Sequence, residues 1–156
     1  MIGECMKRQV AYVSPATTVL EAARLVVERH IGTLPVVDEQ GVLIGVVRLQ
    51  DILDIFLPDF VRLMEDIDFV HDFGALEMIL PKDIPDAARL TMRDLMQEPV
   101  SVEQTCGLLR AFAIMSKHGI RDLPVVNKPG ALVGIASLVD IAVKFLATWT
   151  HEESAL

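Results

Sequence analysis

Residues 31–52, IGTLPVVDEQGVLIGVVRLQDI, lie without a gap over residues 120–141, IRDLPVVNKPGALVGIASLVDI, at a spacing of 89 residues. Extending that register back to Val10 and forward to Leu53 pairs 44 positions with residues 99–142, and 14 of them are identical. Unrelated segments of ordinary composition match at about three such positions. The chain contains an internal duplication, so one structural unit is read twice.

The unit opens on an extended run, Val10–Val13, and a Ser14-Pro15 turn signal. Apolar residues then recur at Val19, Ala22, Ala23, Val26 and Val27, the spacing of one helical face, and the second copy repeats this with Leu108, Ala111, Phe112 and Met115. Gly32 and Gly119 are suited to end these helices in the left-handed conformation. Two short runs rich in Val, Ile and Leu flank Asp38–Gly41, and their counterparts flank Asn127–Gly130, which predicts a hairpin in each copy. A second helix opens near Leu49 and Leu138. The unit reads strand, helix, strand, strand, helix, which makes the fold class α/β. About 50 residues cannot cover their own apolar surface, so two copies are expected to pack face to face as one module with helices flanking a cleft.

The chain has 156 residues, 52% of them hydrophobic, and a mean hydropathy of +0.44. No stretch approaches the roughly 18 apolar residues of a membrane span, so the surplus belongs to cores or interfaces. A net charge of −8 repels nucleic-acid polymers. Residues 1–8 carry no apolar signal region, and Cys5 and Cys106 have no CxxC spacing. A cytoplasmic protein without disulfides, structural metal or required cofactor is the expectation. Boundaries are drawn at 1–56 for the first repeat, 57–92 for a connector, 93–150 for the second repeat and 151–156 for a tail. Most of the negative charge sits between the repeats, since residues 54–94 carry −6. Apolar residues from Phe56 to Ile67 recur at near-helical spacing, and Phe69–Gly74 is aromatic and turn-like. These aromatics either plug an edge of the module or form a surface for association.

The repeated residues resemble the CBS domain, which occurs as tandem pairs called Bateman modules. Gly119–Val126, Gly130–Gly134 and Ser137–Asp140 carry the resemblance in the second copy, with Ile31–Val37, Gly41–Gly45 and Asp51 in the first. It covers about 90 of the 156 residues, and it implies a tandem-CBS regulatory protein. Such a module binds an adenine nucleotide or another adenosyl compound, AMP or ATP foremost, in the cleft between copies, and often forms a homodimer through its helical faces.

A carboxylate can accept hydrogen bonds from both ribose hydroxyls, and Asp140 and Asp51 sit where the family places that group. Ser137 can donate to a phosphate beside it, although Ser-x-x-Asp before an apolar run also fits a capping box. Arg48 stands where the family has Ser or Thr; it either binds phosphate or fills the pocket with its own side chain. The two sites are therefore expected to differ, with the Asp140 pocket the better one. Arg121 and Asp122 either face the phosphates or pair with each other on the surface, and their counterparts are Gly32 and Thr33. Val100 and Val102, with Ala11 and Val13 in the other copy, are expected to line the slot for the base.

Enzymatic readings lack support in the sequence. His30, His71, His118 and His151 stand in unmatched contexts, with no G-x-S-x-G, H-E-x-x-H, P-loop or G-x-G-x-x-G motif. The reading is a ligand sensor that signals to a separate protein. The alternative is an interaction module with an empty or self-filled cleft that works through its acidic, aromatic connector.

Overall fold

A computed structural model describes residues 1–56 and 86–153. The first long helix, α1 (Val19–Arg29), starts where Thr18 and Glu21 cap it reciprocally: Glu21 N–H donates to Thr18 Oγ1 at 3.2 Å and Thr18 N–H to Glu21 Oε2 at 2.8 Å. It ends on His30 at φ 52°, and its counterpart α4 (Leu108–His118) ends on Gly119 at φ 61°. The left-handed cap in the first copy is thus His30 and not Gly32. The register explains the correction, because position 30 is the one that pairs with 119. Each helix buries a narrower stripe than its spacing predicts. Val19, Ala22, Ala111 and Met115 are buried, while Val27 and Phe112 are exposed.

Strands β1 (Thr33–Val37) and β2 (Leu43–Arg48) pair antiparallel and lead into α2 (Leu49–Leu53). Helix α3 (Met92–Leu95) leads into the second repeat, whose two-residue β3 (Val102–Glu103) runs parallel to β4 (Asp122–Val126). Strand β4 pairs antiparallel with β5 (Leu132–Ser137), which runs into α5 (Leu138–Glu153). The duplication survives in detail: Val13 bridges Val36 in parallel as β3 does β4, and both hairpins shift register at the same place, Val36/Val37 and Val125/Val126.

The two hairpins meet across a pseudo-twofold axis. Leu43 N–H donates to the Gly130 carbonyl and Leu132 N–H to the Gly41 carbonyl, both at 3.1 Å. At another point of contact, Thr33 Oγ1 donates to Asp122 Oδ2 at 2.8 Å, a bond between two equivalent positions.

Each repeat is completed by the segment that leads into the other. Ile2 and Met6 are buried in the core of the second repeat, whereas Met92, just ahead of that repeat, is fully buried in the core of the first. Lys7 and Ile135 exchange backbone bonds of 2.8 and 3.0 Å, and Gln97 and Val46 exchange bonds of 2.9 and 3.1 Å. Glycine makes the crossing possible. A Cβ at Gly134 would stand 2.5 Å from the Met6 sulfur, and one at Gly45 would stand 2.7 Å from the Met96 sulfur. The helical extension beyond Pro58 and the turn at Phe69–Gly74 lie outside the described residues.

Because Met92 is enclosed by the opposite repeat, Met92→Ala should cost about 2–5 kcal/mol of stability in urea unfolding. A loss below about 1 kcal/mol would show that the exchange contributes little.

Candidate functional site

Two clefts open between the repeats, one on each side of the Thr33–Asp122 bond. The larger, about 270 Å³, joins Arg48 at the end of β2 to Gly119–Asp122 ahead of β4, with Gln97, Glu98 and Val100 as its third wall. The smaller, about 190 Å³, joins Ser137 and Asp140 at the start of α5 to His30–Thr33 ahead of β1, with Lys7, Gln9 and Ala11 as its third wall. The lining positions correspond across the duplication: Arg48 with Ser137, Arg121 with Gly32, Gly119 with His30, Glu98 with Gln9 and Val100 with Ala11. Gly32, Thr33 and Asp122 belong to both clefts.

Local bonding fixes each wall. The carbonyl of Gly32 accepts from the first N–H of α2, and that of Arg121 from the first N–H of α5, each at 2.8 Å. Ser137 and Asp140 form a complete capping box: Ser137 Oγ and N–H donate to Asp140 Oδ2 at 2.7 and 2.9 Å, and Asp140 N–H donates back to Ser137 Oγ at 3.1 Å. Lys7 Nζ adds an ion pair to the same oxygen at 3.7 Å. The pattern recurs at Asp51 with a neutral partner, although Asp51, unlike Asp140, does not line its cleft. Its Oδ2 accepts from Arg48 N–H at 2.7 Å and its Oδ1 from Gln97 Nε2 at 2.8 Å.

Burial pushes the Asp140 carboxyl up, but the two Ser137 bonds and the Lys7 ammonium outweigh it, so its pKa lies below the ordinary aspartate value. Burial, with Asp140 nearby, pushes the Cys5 thiol up, the opposite of what a reactive thiolate needs. Among the described residues no cluster of three or more His, Cys, Asp or Glu is placed to hold a metal ion, and no helix is long and apolar enough to cross a membrane.

The expected site residues are thus partly brought together and partly redistributed. Arg121 shares its cleft with Arg48 and not with Asp140, because the segment ahead of β4 faces the second-helix start of the other repeat. Asp122 accepts from Thr33, and among the described residues no ion pair joins it to Arg121. Ser137 serves as a helix cap. Val100 and Ala11 line opposite clefts, but Val102 and Val13 point into the two cores and line neither. Lys7, Gln97, Gln9, Glu98 and His30 are lining residues that the sequence reading missed. Lys7 and Gln97 correspond at a spacing of 90, one residue off the register of the repeat.

Removing the cap with Ser137→Ala should lower stability by about 0.5–2 kcal/mol at pH 7. A carboxyl with a lowered folded-state pKa stabilises above its unfolded value, near 4, and stops doing so as pH falls through the folded value. The gap between wild type and variant, measured by urea unfolding, should therefore narrow below about pH 4. A gap that persists unchanged to pH 3 would separate Asp140 from the cap.

Comparison with known proteins agrees with this architecture. The sequence pattern of the CBS domain matches residues 2–58 and 83–146. The chloroplastic CBS domain-containing protein CBSX1 of Arabidopsis thaliana is 33% identical over 86% of this chain and 59% of its own length. The CBS domain-containing protein YhcV of Bacillus subtilis is 33% identical over 91% of this chain and 83% of its own. This chain spans about three fifths of the length of some curated relatives, such as CBSX1 and the uncharacterized protein MK0525 of Methanopyrus kandleri, at 60%. The crystal structure of the CBS-pair protein CBSX2 of Arabidopsis thaliana superposes with a TM-score of 0.74 at 27% identity, covering 96% of each chain. CBSX2 in complex with AMP superposes at 0.70 and 28% identity, covering 94% of this chain and 96% of that one. Both repeats match one family pattern and both take its fold, so the chain belongs to the CBS domain family, as a tandem pair.

Proposed function

We propose that this protein is a regulatory module that binds an adenine nucleotide or adenosyl compound, AMP or ATP foremost, between its repeats and signals to a separate partner protein. The observation that carries the reading is the pair of clefts mirrored across Thr33–Asp122, each joining the second-helix start of one repeat to the pre-strand loop of the other. The AMP complex of CBSX2, a structure with this fold, supports the ligand class. Asp140 is the ribose acceptor of the smaller cleft in this reading, and Asp51 that of the larger once Gln97, which lines that cleft in its place, leaves its Oδ1; Arg48 and Arg121 are the phosphate contacts, and Val100 and Ala11 the apolar contacts for the base.

Signalling follows from what the aspartates already hold. Asp51 is bonded at both oxygens, one of them to Gln97 on the segment just after α3. A ribose that takes Oδ1 displaces Gln97 and weakens one tie between the repeats. The ligand then shifts a balance between two arrangements of the copies by its difference in affinity for them. The repeats are read as 1–56 and 93–150, joined by the connector over 57–92.

At 100 times its dissociation constant, AMP or ATP should raise unfolding stability by about 2.7 kcal/mol. The absence of any shift with AMP, ATP or adenosine would favour an interaction module with an unused cleft.

We also propose a homodimer through the helical faces. Helices α4 and α5 enclose an apolar groove of about 300 Å³ lined by Leu109, Phe112, Phe145 and Leu146 among others, while Val143 and Trp149 are 63% and 65% exposed. Leu20 on α1, the counterpart of Leu109, is exposed as well, so the module carries two related apolar edges for a second copy. Light scattering should give twice the 17.2 kDa chain mass, and Phe112→Glu with Val143→Glu should return it to one. A monomeric wild type at micromolar concentration would remove the dimer.

A further inference from the structure

We infer that the two clefts divide their ligands by charge: the Arg48–Arg121 cleft takes a nucleoside bearing a phosphoryl group, and the Asp140 cleft takes an adenosyl ligand bearing none. This deepens the nucleotide reading above and rests on it. The two clefts share Gly32, Thr33 and Asp122, so the difference between them comes from Arg48 and Arg121 on one side and from Lys7, Ser137 and Asp140 on the other.

In the larger cleft those residues include two guanidiniums. Arg48 and Arg121 are permanently charged, and their planar donor forks match phosphate oxygens. Among the described residues neither forms an ion pair. The acids lining this cleft are Asp122, which accepts from Thr33, and Glu98, an exposed side chain whose charge is screened by solvent; Asp51 does not line it, and both of its oxygens are already bonded, to Arg48 N–H and to Gln97.

The counterparts in the smaller cleft are Ser137 and Gly32, which carry no charge. Its lysine, Lys7, is already paired with Asp140, and its other basic side chain is the imidazole of His30. The start of α5 offers little to an anion, because its first and third N–H groups go to the Arg121 carbonyl and to Ser137 Oγ. A phosphate placed there meets Asp140, which only this cleft contains, in a partly buried space where like charges repel more strongly than in water, and no arginine lines this cleft to offset it. A neutral nucleoside meets no such cost, and its ribose hydroxyls can reach Asp140 Oδ1, since the capping bonds and the Lys7 pair all go to Oδ2.

Calorimetry on the full chain with AMP and adenosine, which differ only by the phosphate, tests the division. Wild type should bind one AMP per chain. Arg48→Gln with Arg121→Ala should weaken AMP by about tenfold or more and adenosine by less than about threefold. Asp140→Asn should weaken adenosine by about fivefold or more and AMP by less than about threefold. Gly32→Arg adds a guanidinium at the position that corresponds to Arg121, where a Cβ finds only Asp122 at 4.0 Å, and should raise AMP binding from one to two per chain, with the second AMP retained when Arg48→Gln and Arg121→Ala are added. This gain of binding does not depend on Asp140→Asn remaining folded. Two equivalent AMP sites in wild type, or equal loss of AMP in the Asp140 and arginine variants, would overturn the division. Heat from neither ligand would instead overturn the nucleotide reading, and the division with it.

Discussion

The structure depends on an exchange of leading segments. A repeat of about 50 residues has too little interior to stand alone, and each of these is closed by residues that belong in sequence to the other. Ile2 and Met6 fill the second core, and Met92 fills the first. Separating the repeats would therefore expose both cores at once, which ties the integrity of each half to that of the whole. The paired backbone bonds of Lys7 with Ile135 and of Gln97 with Val46 fix where each crossing strand lies.

That exchange also makes the clefts. Each crossing segment forms one wall, so the residue beside each aspartate, Lys7 or Gln97, comes from the segment that holds the module together. Cleft chemistry and assembly are thus coupled through single side chains. A ligand that competes for the aspartate acts on the same segment that completes a core, which gives a physical route from occupancy to the arrangement of the repeats.

The duplication sets the plan of both clefts, and substitution since then separates them. The Thr33–Asp122 bond joins equivalent positions that no longer hold the same residue, one now a donor and the other an acceptor. Arg48 against Ser137 and Arg121 against Gly32 place both unmatched guanidiniums on one side of that bond. A symmetric frame therefore carries two different electrostatic environments.

The order of elements, the hairpins and the first long helix of each repeat were legible in the sequence because they follow from local periodicity and from turn chemistry, and because each pattern occurs twice, though the end of α1 falls on His30 and not on Gly32. Asp51 and Asp140 were legible as counterparts for the same reason. The leading segments were not, since they correspond at 90 residues and not at 89, and a gap-free comparison begins only at Val10. Val13 and Val102 show the other limit: alternation along a strand says that a residue is apolar, but not whether it faces a cleft or a core. Local pattern and self-similarity alone specify a duplicated α/β unit with an acidic residue at the start of each second helix. That Arg121 stands with Arg48 and that Lys7 and Gln97 hold the aspartates emerged from the three-dimensional arrangement alone, because these contacts join segments that the pseudo-twofold axis brings together and that no local spacing relates, whereas the Ser137 cap lies three residues from its partner and its Ser-x-x-Asp pattern stands in the sequence.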